Sequence, residues 1–296
     1  VYLVKGSNEE IGFRILAGGG LGRTPVIGKV IYEYIEKKHL LTALEAILRV
    51  YNQLGRRDNK YKARIKILIK ETGLEKFKTL VEEEWLKLKD GTLTLTDKEI
   101  KRCASYFVDP PYLFKNDNPR ELTEPLEQNL LFNSWYNQNV TTHKKTGYSI
   151  VTIALKETGV APGDVTDRQL EYLANLADEF SFGETRVTHH QNIVLADVEQ
   201  EQLYNLWNKL NKKSMASMNL NLLTDIICCP GGDFCALANA KSIPIAESIQ
   251  RRFNNEEIQK EIGEVRINIS GCMNACGHHH VANIGILGVD KKGEEF

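Results

Sequence analysis

The chain has 296 residues, and its 38 basic and 39 acidic side chains leave a net charge of −1. That balance excludes broad nucleic-acid binding driven by overall charge. A composition of 42% hydrophobic and 26% charged residues excludes a disordered chain. No apolar run approaches the roughly 20 residues of a membrane span, six cysteines are too few for a disulfide scaffold, and the length suggests about two domains. The chain opens on Val1, with neither Met nor a signal-peptide pattern, and stops at Phe296. Both ends read as cuts from a longer protein, so a targeting signal in the parent is not excluded.

In chain order, residues 11–16 read as a strand running into Gly18-Gly19-Gly20-Leu21-Gly22. Thr24 and Pro25 suit an N-cap and first helical position, predicting a helix through Val30, Ile31, Tyr34 and Ile35. A second helix carries Leu44, Ile47, Leu48 and Tyr51 on one face and ends near Gly55. A basic stretch, residues 56–66, follows. Residues 74–130 read as helical and then loop-like, with linker character at Asp109-Pro110-Pro111 and at 116–125.

Residues 148–155 read as a strand and 160–164 as a loop, and Thr166 with Gln169 forms a capping box. It opens a helix that aligns Leu170, Leu173, Ala174, Ala177 and Phe180. A strand pair over 185–198 and a helix with Leu203, Leu206, Trp207 and Leu210 complete a β-α-β-(β)-α order. That order predicts an α+β, ferredoxin-like half-domain. Residues 218–296 alternate loop, helix (about 235–253) and strands (265–269 and 282–287). The expected domains are 1–75, a helical segment and linker over 76–130, the half-domain over 131–215, and a last domain over 216–296.

Four cysteines are spaced as a ligand set: Cys229 and Cys235 as C-x5-C, Cys272 and Cys276 as C-x3-C. Small residues surround both pairs, among them Gly231, Gly232, Gly271 and Gly277, and glycine lets backbone pass close to a bulky group. Four thiolates on two short loops suit a [4Fe–4S] cluster. A four-thiolate zinc site, which favours other spacings, and unrelated or disulfide-bonded cysteines remain open. Cys228 reads as packing beside Cys229, and Cys103 as a buried structural thiol.

The run Ile227-Cys228-Cys229-Pro230-Gly231-Gly232-Asp233-Phe234-Cys235, with Ser270-Gly271-Cys272-Met273-Asn274-Ala275-Cys276-Gly277, resembles the sirohaem–[4Fe–4S] signature of sulfite and nitrite reductases. Residues 185–192 (Thr-Arg-Val-Thr-His-His-Gln-Asn) resemble the family's strand over the tetrapyrrole. Residues 12–22 resemble the end of its first cofactor-type repeat, and 56–66 the basic segment after it. The resemblance spans nearly the whole chain and looks closest to the haemoprotein (beta) subunit of bacterial assimilatory sulfite reductases.

The resemblance implies that Cys229, Cys235, Cys272 and Cys276 hold the cluster, and that Cys276 also links it to the sirohaem iron, which makes it the catalytic cysteine. It implies six-electron reduction of sulfite to sulfide, with nitrite to ammonia as the alternative. It also implies Arg64, Lys66, Gln191 and Asn274 as contacts to the many carboxylates of sirohaem. On charge pattern alone, Lys60, Lys62, Arg64 and Lys66 read as a solvated face. The implied electron donor is a flavoprotein reductase subunit or a ferredoxin, and free thiols fit a reducing, cytoplasmic setting. The rest of the substrate pocket is expected outside these residues, so the piece alone is expected to bind cofactor poorly and turn over little.

Rival readings are a non-haem [4Fe–4S] electron carrier and a zinc-stabilised binding module. His278, His279 and His280 read as a strand with alternating faces, where any one could carry protons. His189 and His190 read as opposite faces of a strand with structural roles. The glycine run lacks G-x-G-x-x-G spacing, so close backbone packing is expected there rather than a nucleotide site.

Overall fold

The structure is a computed structural model that describes residues 1–7, 9–291 and 294–295. It divides into two units, Val1–Asp109 and Pro110–Phe296. In the first, strands β1 (Tyr2–Lys5), β2 (Ile11–Ala17) and β3 (Lys29–Glu36) form an antiparallel sheet in that order. Helices α1 (Leu40–Leu54), α2 (Ile65–Thr72), α3 (Leu74–Leu88) and α4 (Asp97–Ala104) follow. Ile15, Ile31 and Ile35 of the sheet share a core with Ala43, Ala46, Ile47 and Val50 of α1 and with Phe77 and Val81 of α3.

The helix expected from Thr24 through Ile35 is instead the strand β3. Ile31 and Ile35 lie four apart and are the buried pair; that spacing satisfies a helix and a strand alike. The β-branched and aromatic content of Val30-Ile31-Tyr32-Glu33-Tyr34-Ile35 favours the pleated form. The glycine run is therefore the tip of a hairpin, closed by the Gly20–Val26 bridge. A Cβ on Gly19 would stand 2.9 Å from Gly28 N, so the run lets two backbones pass. A dinucleotide turn needs a helix after it, and none follows here.

The segment 76–130 is shared between the units: α3 packs with the first, whereas α5 (Arg120–Gln128) and α6 (Leu130–Asn139) supply Leu122, Phe132 and Trp135 to the core of the second. The stretch read as linker at 116–125 thus contains most of α5, up to Pro125 inside that helix.

The second unit holds a four-stranded antiparallel sheet, β4 (Val140–Thr142), β5 (Tyr148–Ile153), β6 (Arg186–Val187) and β7 (Ile193–Glu199), in the order β4-β5-β7-β6. Val151 pairs with Leu195 and Ile153 with Ile193. Helices α7 (Asp167–Phe180) and α8 (Leu203–Asn211) cover it with Leu173, Leu176, Ala177, Leu206 and Leu210. The Thr166–Gln169 capping box is present in full. This is the expected ferredoxin-like half-domain in an α+β chain.

Beyond it, short parallel strands β8 (Ile227–Cys228), β9 (Ile267–Ser270) and β10 (Ile284–Leu287) lie in the order β10-β9-β8. Around them are the single turn α9 (Gly231–Phe234), α10 (Ile243–Arg252) and α11 (Glu256–Ile262). Leu223, Ile226, Cys228, Ala246, Ile267 and Ile269 form their core. The helix expected over 235–253 begins only at Ile243, because Pro244 suits the first turn and not an interior position. Among the described residues no helix is long and apolar enough to cross a membrane.

Candidate functional site

Both cysteine loops leave the carboxyl ends of neighbouring parallel strands, the edge where open sheets of this kind expose a binding crevice. Cys229 follows β8 directly and Cys272 comes two residues after β9. Cys229 N–H donates to Ile269 O (3.1 Å), and Gly271 N–H donates to Cys229 Sγ (3.0 Å). The amides of Asn239 and Ala240 both donate to Gly271 O (2.8 and 3.0 Å), Gly232 N–H donates to Ala240 O (2.9 Å), and Cys235 N–H to Gly231 O (2.9 Å). One continuous set of backbone bonds therefore ties the first loop to the second.

Their approach is too close for side chains. A Cβ on Gly271 would lie 2.7 Å from Ala240 O and 2.9 Å from Gly231 Cα, and one on Gly277 would lie 2.0 Å from Ile269 O. Gly277 N–H donates to Ser270 Oγ (3.1 Å), so the return of the second loop is pinned to the strand it left.

The four thiols differ in exposure. Cys272 is buried, Cys229 and Cys235 are half-buried, and Cys276 is exposed. Partial burial pushes the Cys276 thiol up from its ordinary value, and the nearby thiols of Cys229, Cys272 and Cys235 push it in the same direction. Among the described residues no group of three or more His, Cys, Asp or Glu could hold a single metal ion. A cubane cluster makes a different demand: each thiolate binds its own iron, so its four ligands stand apart around a group several ångströms wide. All-sulfur donors, glycines at the loop crossing and an amide aimed at a sulfur suit such a group chemically.

The other expected residues fall as follows. Gln191 carries a positive φ of 58°, and its amide is committed to Cys228: Nε2 donates to Cys228 O (2.8 Å) and Cys228 N–H donates to Oε1 (3.0 Å). Asn274 is exposed between Cys272 and Cys276. Arg64 and Lys66 belong to the first unit. Arg64 is exposed at the start of α2, where its guanidinium donates to Ala63 O (3.1 Å). Lys66 Nζ donates to Thr24 O (2.7 Å), inside the β2–β3 connection.

Cys228 is core, its thiol pushed up to about 12 by burial and by neighbouring Cys229. Cys103 is exposed near the end of α4, which corrects its reading as a buried thiol; that helix buries none of its residues. The histidine triplet forms no strand. His278 sits in the left-handed region and residues 279–281 form a 3-10 turn that buries His279. Burial and His280 hold His279 below its ordinary value, and neither ring nitrogen has a hydrogen-bond partner. His189 and His190 occupy the turn between β6 and β7, their ring centroids 4.0 Å apart, and not two faces of a strand.

Sequence reasoning missed Lys156. A lysine after an apolar strand reads as a solvated strand end, yet this side chain is fully buried. Nothing local in Ala154-Leu155-Lys156-Glu157 signals that.

Fold and site together define an α+β protein in which a ferredoxin-like half-domain is followed by a parallel-stranded lobe displaying two paired cysteine loops. Residues 1–89 match the family model "Nitrite and sulphite reductase 4Fe-4S domain", and residues 142–213 match "Nitrite/Sulfite reductase ferredoxin-like half domain". The chain belongs to the nitrite and sulfite reductase family. Neither matched segment reaches the four cysteines.

Curated relatives align across nearly all of the chain. A chloroplastic ferredoxin–nitrite reductase of Zea mays is 27% identical, covering 97% of this chain and 45% of the relative. Sulfite reductase (ferredoxin) 2 of Mycolicibacterium paratuberculosis is 25% identical, covering 94% and 44%. An assimilatory ferredoxin-dependent nitrite reductase of Haloferax mediterranei is 25% identical, covering 96% and 44%. The NirA protein of Mycobacterium tuberculosis shares the fold with a TM-score of 0.67 at 23% identity, covering 99% of this chain and 48% of that one. The chain thus spans somewhat less than half the length of these relatives.

Proposed function

We propose that the chain is the cluster-bearing part of a sirohaem-dependent sulfite or nitrite reductase, with Cys229, Cys235, Cys272 and Cys276 holding a [4Fe–4S] cluster and Cys276 also facing the sirohaem iron. The observation that carries this reading is the uneven exposure of four thiols on two bonded loops: one buried, two half-buried, and Cys276 exposed. A sulfur shared by two redox centres must be reachable from outside the cysteine pocket, and Cys276 is the one so presented. When bound, the two groups supply stepwise electron transfer to the substrate.

The chain's own contributions are specific. Cys272 is withdrawn from water, the Gly271 amide stabilises negative charge on Cys229 Sγ, and the loop crossing holds the two cysteine pairs in register. Asn274 and Arg64 keep exposed polar groups suited to carboxylates of the macrocycle. Lys66 and Gln191 have prior commitments, to Thr24 O and to Cys228; their part in cofactor binding is to shape the loops that carry other contacts.

Sulfite is the first reading and nitrite the second, and relatives named for each support both. The word ferredoxin in those names favours a ferredoxin donor over a flavoprotein subunit. Thiols that stay free fit a reducing, cytoplasmic compartment. Residues 1–75 then close a first cofactor-type repeat, 131–215 form the half-domain, and 216–296 open the second repeat. The test is anaerobic purification of the full-length parent, with iron and sulfide analysis, a visible spectrum, and rates on sulfite and nitrite side by side. About five irons to four labile sulfides, with strong haem bands, is expected. Zinc without iron overturns the reading, and iron and sulfide without haem bands reassign the protein as an electron carrier.

A further inference from the structure

Lys156 lies just past the end of β5, its side chain 0% exposed. Its ammonium donates to His190 O (2.6 Å), Gln191 O (3.1 Å) and Asn192 Oδ1 (3.1 Å), which uses all three of its protons. Asp225 Oδ1 stands 3.5 Å away and also accepts from Asn192 Nδ2 (3.2 Å). Asn192 Oδ1 further accepts from Leu155 N–H (3.0 Å), and Asp225 Oδ2 from Asn221 N–H (3.0 Å). A buried ion pair this well satisfied is costly to break from one side, because the remaining charge is left without a partner.

The three residues that Lys156 holds form the second part of the turn between β6 and β7, and Gln191 is the middle one of them. Its side chain brackets Cys228 with two hydrogen bonds, one residue before Cys229. Asp225, at the other end of the brace, stands three residues before Cys228. Both ends of the network therefore converge on the segment that delivers the first cysteine loop.

We propose that Lys156 is a positioning residue for the cysteine centre, acting through the 190–192 turn and the Gln191 amide to fix where the Cys229 loop begins. The spectroscopic part of its test rests on the cluster reading above; the exchange part does not. The brace links the half-domain sheet to the cysteine lobe, so a disturbance at Lys156 reaches Cys229 without touching any thiol.

The test uses the full-length parent with Lys156→Met, Gln191→Asn and the double variant. Asparagine tolerates the positive φ at 191 but is one methylene short of bracketing Cys228. Asp225→Asn, which is isosteric, loosens the ammonium from its other side and replaces Lys156→Met should that variant not fold. Hydrogen exchange at the Cys228 amide is expected to quicken at least tenfold in each single variant. The EPR signal of the reduced cluster is expected to shift in the same direction in each, and no further in the double. Leu195→Ala, which weakens the half-domain core away from the brace, is expected to leave that signal where it was. Unchanged Cys228 exchange in Gln191→Asn, an additive double variant, or an equal EPR shift in Leu195→Ala overturns the proposal. If the parent holds no cluster, the cluster reading falls and amide exchange alone decides the brace.

Discussion

Gly271→Ala tests the loop crossing that the proposed centre requires. The new Cβ would meet Ala240 O at 2.7 Å, Gly231 Cα at 2.9 Å and Ser242 Oγ at 2.9 Å. Two of those three atoms are backbone, so a rotamer change cannot absorb the contact. Relief requires the two cysteine loops to separate, which strains the Gly271 bond to Cys229 Sγ and the two bonds into Gly271 O. Overpacking of this kind costs about 1–3 kcal/mol. In a unit of this size about 2 kcal/mol lowers Tm by roughly 4–8 °C. Gly20→Ala is the matched control, since nothing lies within 4 Å of its added Cβ. The assay is thermal unfolding of both variants, together with iron and sulfide bound after anaerobic reconstitution of the full-length parent. Gly271→Ala is expected to melt lower and to bind less of both. Equal melting and equal iron content in the two variants would refute the crossing as a condition for the centre.

Thiol labelling of the metal-free protein under native conditions should modify Cys103 and Cys276 first and spare Cys228 and Cys272, as peptide mass spectrometry can follow; reconstitution should then protect Cys276 while Cys103 still reacts. Leu195→Ala empties a fully buried site in the half-domain core and should cost about 2–5 kcal/mol, read as a lower denaturant midpoint. In the first unit, a hydrogen bond from Lys87, with Arg49 assisting, holds the Glu84 carboxyl below the usual carboxylate range. Its folded value lies below its unfolded one, so its stabilisation is complete above the usual range and is lost as pH falls through the folded value. Glu84→Gln should flatten that acid limb in a series of melts, and an unchanged limb would remove Glu84 from the account.

Much of the molecule was legible locally. The helix ending at Gly55, the Thr166 capping box, the apolar face of α8 and Leu173, Ala177 and Phe180 of α7 follow from periodicity and end signals within a few residues, whereas Leu170 and Ala174, read onto the same face of α7, are exposed and Leu176 is buried instead. The paired cysteines were legible for the same reason: two short spacings with glycine around them. Other features depended on what lay opposite. Ile31 and Ile35 face one side in a helix or in a strand, and pairing with β2 decided for the strand. The histidine triplet reads equally as strand or turn until the positive φ at His278 bends the chain.

The amino-acid sequence by itself therefore determined the α+β order, the half-domain and the identity of the four candidate ligands, since each is written in local pattern. Tertiary structure alone decided that Cys276 is the exposed thiol, that Gln191 is engaged with Cys228, and that Lys156 is buried among carbonyls more than thirty residues away in sequence. Exposure and hydrogen-bond partnership are properties of surroundings. Those surroundings are brought together by distant segments whose meeting no short stretch of chain encodes.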